Sequence, residues 1–294
     1  MEQKNQHLPQ IILHIGRHKT GTTSIQSFLA LNDERLASEY GIYYPEIGRD
    51  PRFPYHHPLF MPIVEENRAV DPLHVKAICN EAIKRGCDTI LLSSEMLSRS
   101  GLSDHQLKLM RDSFPGHEVK LILYFRRQDL FIESRYSEQV KRGLLAAPDT
   151  ISDIERTSLN YFQFANRYQA VFGKDALIIR SFDKDKAEGL IASFLSIMNV
   201  PLTKTFRLPA KTLNTRYPWR YIEVIRRINN VKYARSLVIN RYSRFVISKL
   251  SSWFPKFMDE PKPLTPEQRN QILEDYQNSN QQLSREYLNE KSLF

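Results

Sequence analysis

The chain has 294 residues, with 42 Lys and Arg against 33 Asp and Glu for a formal net charge of +9, 41% hydrophobic residues and two cysteines. That composition excludes collagen-like, disordered and disulfide-scaffold classes. The longest uninterrupted apolar run, Leu121 to Phe125, is far short of the roughly 20 residues that cross a bilayer, and the polar segment Met1 to Gln10 leads into too short an apolar stretch for a signal-peptide core; a cytoplasmic protein is expected. Cys79 and Cys87 form no CxxC pair and no His cluster has metal spacing, which predicts two reduced thiols and no metal centre.

In chain order, short apolar runs rich in β-formers stand at Ile11 to Ile15, Ile42 to Tyr44, Thr89 to Ser93, Val119 to Phe125 and Ala176 to Arg180. Between them lie stretches with apolar residues three and four apart, such as Ile25, Phe28 and Leu29, then Ile78, Ala82 and Ile83, and later Phe162, Ala165 and Tyr168. Strands alternating with helices predict an α/β fold with a mostly parallel central sheet. After Pro218 only helical patterning remains, and Thr265-Pro266-Glu267 opens a last helix with a cap and a first-position proline. The expected organisation is one domain over 1–294, with an α/β core at 11–200 and a helical cap at about 201–294. The cap is basic: Lys204 to Lys256 holds thirteen Lys and Arg against one acid, Glu223, a field that attracts anions.

The segment Ile11 to Ser24 runs from a hydrophobic strand through Gly16-Arg17-His18-Lys19-Thr20-Gly21 into an amphipathic helix beginning Thr22-Thr23-Ser24. A glycine turn at a helix amino terminus, with a lysine and several hydroxyls, is the chemistry of a phosphate site. Gly16 and Gly21 have the glycine spacing of the nucleotide-triphosphatase loop, but Thr22 stands where that loop carries its lysine, and Lys19 lies inside the loop instead.

Lys19 to Ser24 resembles the 5′-phosphosulfate loop of sulfotransferases that use 3′-phosphoadenosine 5′-phosphosulfate, whose lysine has this displaced position. A second block is also similar: in that family an arginine ends a buried strand and a serine follows eight residues later, as do Arg126 after Val119 to Phe125, and Ser134. The resemblance covers residues 11 to about 200 and implies a P-loop-like three-layer fold, with Arg17, Lys19, Thr20, Gly21, Thr22, Thr23, Ser24, Arg126 and Ser134 as donor-binding residues and no metal required. A guanidinium binds phosphate bidentately and a serine hydroxyl adds a donor, so the residue chemistry agrees. The family also implies a later basic loop, for which Phe206 to Tyr217, with Arg207, Lys211, Asn214 and Arg216, is the candidate.

Sulfuryl transfer needs a proton acceptor and a cation for the leaving group. Lys19 suits the second task. Glu95, just past the Thr89 to Ser93 strand, is the expected base, with His56 and His57 between Pro54 and Pro58 as the competing choice in an extended segment; His14 reads as a core histidine and His18 as lining the loop. The resemblance implies a carbohydrate or glycolipid acceptor, and the basic third favours an anionic one. Tyr43, Tyr44, Phe53, Tyr55 and Phe60 offer either ring-stacking or packing. Two other readings stay open: a P-loop nucleotide kinase, or a basic surface module in which Arg235 to Met258 touches a membrane; no nucleic-acid motif is present.

Overall fold

The computed structural model describes residues 8–143, 156–209, 218–229 and 262–294. Five strands form one sheet: β1 (Gln10–His14), β2 (Ile42–Tyr43), β3 (Thr89–Ser93), β4 (Val119–Phe125) and β5 (Leu177–Ser181). The order is β2-β3-β1-β4-β5 and every pairing is parallel. The strands were legible because a parallel sheet covered on both faces needs continuous apolar runs, and Ile11, Leu13, Ile90, Leu91, Leu121, Ile122 and Leu123 are all nearly inaccessible to solvent.

Helices alternate with these strands: α1 (Thr22–Leu31), α2 (Asp33–Tyr40), α3 (His57–Glu66), α4 (Pro72–Lys84), α5 (Asp104–Asp112), α6 (Gln128–Lys141), α7 (Tyr161–Phe172), α8 (Phe182–Glu188) and α9 (Leu190–Ser196). Then come α10 (Trp219–Asn229), α11 (Pro266–Asp275) and α12 (Gln277–Leu283), with no strand after β5 among the described residues. This is the expected P-loop-like α/β class, with a carboxy-terminal third that is helical where described. Local chemistry sets the starts: Asp71 accepts from the Leu73 N–H ahead of Pro72, Ser103 and Gln106 form a capping box, and Thr265 and Gln268 form another before Pro266.

The chain divides into two compact units. The first takes Met1–Arg126, Asn160–Leu213 and Ser279–Phe294, and holds the whole sheet. Its core joins Ile12, Leu91, Ile122 and Tyr124 of the strands to Ile25, Phe28 and Leu29 of α1 and Phe194 and Leu195 of α9. The side chain of Asn32, after α1, donates to the Arg207 carbonyl (2.9 Å) and accepts from the Arg207 N–H (2.8 Å), pairing two backbone segments. The second unit takes Arg127–Leu159 and Asn214–Asn278. There α6 packs with α10 and α11, and Arg269 of α11 ion-pairs with the buried Asp129 and with Glu133 (2.7 Å) on α6.

The segment after β2 differs from the extended stretch expected of its prolines. His56 precedes α3 and His57 begins it, Pro58 sits in the first turn, where no backbone N–H is needed, and the helix also accommodates Pro62. The amphipathic stretch Arg235 to Met258 and the loop residues Lys211, Asn214 and Arg216 lie outside the described residues. Of the basic third, Arg226 and Arg227 are described, and both pair with Glu223, at 2.6 and 3.0 Å. Among the described residues no helix is long and apolar enough to cross a membrane.

Candidate functional site

The connection from β1 leads toward one edge of the sheet and that from its neighbour β4 toward the other, so the carboxy ends of β1 and β4 flank a topological switch point, where open α/β sheets bind ligands. The Gly16 to Gly21 loop and Arg126 stand at those two ends. Gly16 (φ 30°) and Gly21 (φ 74°) are in the left-handed range that favours glycine; a Cβ at Gly21 would lie 2.5 Å from Leu190 and 2.8 Å from Phe182, and one at Gly16 would lie 2.4 Å from Thr22. Between them Lys19 also has positive φ, 69°, which costs a non-glycine residue on the order of 1 kcal/mol or more.

Buried Thr20 locks the loop by donating to the Arg17 carbonyl (2.6 Å) and accepting from the Arg17 N–H (3.2 Å). Gly21 supplies the carbonyl that receives the N–H groups of Ser24 and Ile25, starting α1, whose earlier N–H groups have no intrahelical acceptor. Thr23 is exposed and Ser24 half-buried. The Arg17 guanidinium is buried over the rings of Tyr161 and Phe164, with centroids at 5.3 and 4.8 Å. Arg126 donates from Nη1 to the Lys19 carbonyl (3.2 Å), lies over the Phe182 ring and has Asp183 at 3.8 Å. Ser134 is half-buried on α6, in the second unit.

Glu95 opens a 3-10 turn, Glu95–Ser98, two residues after β3. Its Oε2 accepts from the Thr22 hydroxyl (2.7 Å), and its Oε1 lies 3.1 Å from Nδ1 of His18. Burial acts to raise this carboxyl's pKa, but the bond and charge of His18, the Thr22 hydroxyl and the charge of His57 outweigh it and hold Glu95 down to about 2. The pairing of His18 with Glu95 had no signal in the sequence, because it is made by the adjacency of β1 and β3.

The remaining histidines differ in setting. His56 is buried; its Nδ1 accepts from the Ser93 N–H (3.2 Å) and its Nε2 meets the Pro45 carbonyl (2.8 Å), so both ring nitrogens are spent on backbone. His57 places Nδ1 2.9 Å from the Ser94 hydroxyl and stacks on Tyr55 at 3.8 Å. His14 is a core residue, as its strand position predicts, with Nδ1 2.9 Å from the Ser93 hydroxyl, which also accepts from Gln26 (3.0 Å); its buried Nε2 has no partner among the described residues. Desolvation lowers all three rings, His14 and His57 to about 4 and His56 to about 3. Of the aromatics near β2, Tyr43, Tyr44 and Phe60 are buried, whereas Phe53 is exposed and stacks on Tyr55.

The first unit thus brings together Arg17, Lys19, Thr20, Gly21, Thr22, Glu95 and Arg126, a cationic loop beside a fixed carboxylate. Among the described residues no group of three or more His, Cys, Asp or Glu side chains is arranged to hold a metal ion.

No protein-family model matches the chain. An uncharacterized protein of Archaeoglobus fulgidus is 28% identical over 185 residues, which are 60% of this chain and 47% of that protein, so the match spans about half the length of its curated relative. Among solved structures, a sulfotransferase from Alicyclobacillus acidocaldarius is similar at 14% identity with a TM-score of 0.43, over 84% of this chain and 96% of that one.

Proposed function

We propose that this chain is a sulfotransferase moving the sulfuryl group of 3′-phosphoadenosine 5′-phosphosulfate to a hydroxyl acceptor. The observation that carries the reading is the junction of two anion-binding elements at the switch point: the tight loop holding Lys19 and the strand-end Arg126, which donates to the Lys19 carbonyl at 3.2 Å. The residues fit the donor. The loop has no room for a Cβ at either glycine, which lets its backbone approach a phosphate closely, and it opens on a helix amino terminus.

In this reading the hydroxyls of Thr23 and Ser24, the Thr22 backbone N–H and the loop backbone bind the 5′-phosphosulfate, with Arg17 and Thr20 keeping the loop in shape and the Thr22 hydroxyl given to Glu95. Arg126 binds the 3′-phosphate, and the sequence spacing after it assigns the Ser134 hydroxyl as a donor to the same nucleotide. When bound, the donor supplies an activated sulfuryl group on a phosphate leaving group, and Lys19 neutralises the charge that group gains. The Glu95 corner of the site takes the acceptor's proton. Phe53 and Tyr55, stacked on each other with Arg52 over the Phe53 ring, suit a sugar ring that bears an anionic group.

A thermal-shift comparison tests the reading. The product nucleotide, 3′-phosphoadenosine 5′-phosphate, raises the melting temperature without magnesium, whereas ATP with magnesium does so less. Equal shifts, or a response to ATP alone, overturn it in favour of a kinase. With the donor saturating, acidic oligosaccharides should lose turnover steeply as salt rises and neutral ones should not.

A further inference from the structure

We propose that the proton acceptor of this site is Nε2 of His18, with Glu95 as the positioning residue that holds the ring through Nδ1; the chemistry assigned to the pair rests on the sulfotransferase reading. Glu95 has both oxygens engaged, one by Thr22 at the start of α1 and one by His18 at 3.1 Å, and its backbone carbonyl accepts from the Ser98 hydroxyl at 3.0 Å. A carboxylate so held is fixed in orientation, and the interactions that keep it ionised make it a poor base near neutral pH. Imidazole is the side chain whose ordinary range brackets neutral pH.

His18 has what the other three histidines around the strand ends lack. His14 and His56 are buried, and the Nδ1 of His57 faces a serine hydroxyl. Among these residues only His18 joins partial exposure, 29% of its side chain, to a carboxylate on Nδ1. That contact selects the tautomer with the proton on Nδ1 and leaves Nε2 as the acceptor, and the resulting imidazolium is stabilised by Glu95. The groups around the pair are Lys19, next along the loop, and the neutral ring of His57, on which Arg99 and Asp50 also act.

In the step itself the acceptor's hydroxyl proton moves to Nε2 while the acceptor oxygen bonds to sulfur. The bond from sulfur to the bridging phosphate oxygen breaks, and its electron pair stays on that oxygen beside Lys19. No oxidant or further reactant is needed.

Two measurements on the full chain test the assignment. In protein labelled with 15N-histidine, with the His18 signals identified by their loss in His18→Gln, multiple-bond 1H–15N correlations at pH 9 should find the Nδ1–H tautomer, and Glu95→Gln should shift the population toward Nε2–H. An Nε2–H tautomer in the unsubstituted protein, or a ring still doubly protonated at pH 9, overturns the proposal. The second measurement follows 35S-labelled donor with desulfated heparin and with water as acceptors. His18→Ala should lose turnover by about 100-fold or more with nucleotide affinity kept, added imidazole should restore about tenfold, and Glu95→Gln placed on His18→Ala should add less than about threefold, as expected of residues acting as one unit. A further loss of about 100-fold in the double variant makes Glu95 itself the base and sinks the dyad. The tautomer readout needs no donor, so a protein that has it but fails to bind the product nucleotide loses the sulfotransferase reading and keeps the pair.

Discussion

Two polar clusters hang from the same pair of strands, β1 and β3, and they differ in access to water. His14 and Ser93, the last residues of the two strands, meet in the core with Gln26 and His56 and hold no formal charge. His18 and Glu95, a few residues further along each chain, meet where both are about a quarter exposed, and there the carboxylate is ionised. The contrast teaches that pairing with a second strand does not decide what a histidine does. Desolvation turns the inner rings into neutral packing, whereas the outer ring keeps both water and a carboxylate beside it.

The largest expected effect comes from acid. The folded pKa values of His14 and His56 lie below the unfolded value of 6.5, so the unfolded chain takes up those protons first. Their stabilisation is complete above pH 6.5 and is lost as pH falls toward about 4 and 3, on the order of 3 kcal/mol per ring. Glu95 acts in the same direction at lower pH, with stability present above its unfolded value of 4.5 and lost toward about 2. Urea unfolding from pH 7.5 to 4 should therefore show a steady decline, and His14→Phe should flatten part of it. A level profile in the unsubstituted protein would break the contrast between the clusters.

Lys19→Ala sharpens it from the other side. This loop residue should cost at least about 100-fold in sulfuryl transfer while the acid profile of unfolding stays unchanged, because leaving-group stabilisation of this kind amounts to a few kcal/mol. Retained turnover would remove the lysine from the mechanism. Arg126→Ala should weaken product-nucleotide binding by about 1.5 kcal/mol in calorimetry, with some loosening of the loop whose Lys19 carbonyl it holds. Ser134→Ala, which removes one neutral donor, should cost about 1 kcal/mol or less in the same titration. Equal losses for these two variants would argue against the charge-assisted role of Arg126.

Much of the fold was legible in the sequence, because the central strands are buried on both faces and therefore read as apolar runs, while β5 at the edge alternates buried and half-buried residues. Thr89–Ser93 and Val119–Phe125 match their expected bounds, β2 ends one residue early, and β1 and β5 are each displaced by one residue at both ends. The place of the loop between β1 and α1 was equally readable, since Gly16 and Gly21 mark its turns in one short segment. What depends on distant chain did not register: His18 meets Glu95, and Arg126 meets Lys19 and approaches Asp183, only because strands far apart in sequence are neighbours in the sheet. The helical start at His57 was hidden for a local reason, as prolines at positions 54, 58 and 62 suggest extended chain even though a helix accepts one in its first turn.

The left-handed backbone of Lys19 places the fold and the chemistry in opposition at one residue. The residues that tolerate φ of 69° best are glycine, asparagine and aspartate, and none is cationic. Lys19→Gly should therefore yield a protein as stable as the original or more so by up to about 1 kcal/mol, and nearly without turnover. If the proposed role holds, the lysine is the point at which the chain forgoes stability to keep a cation in the loop.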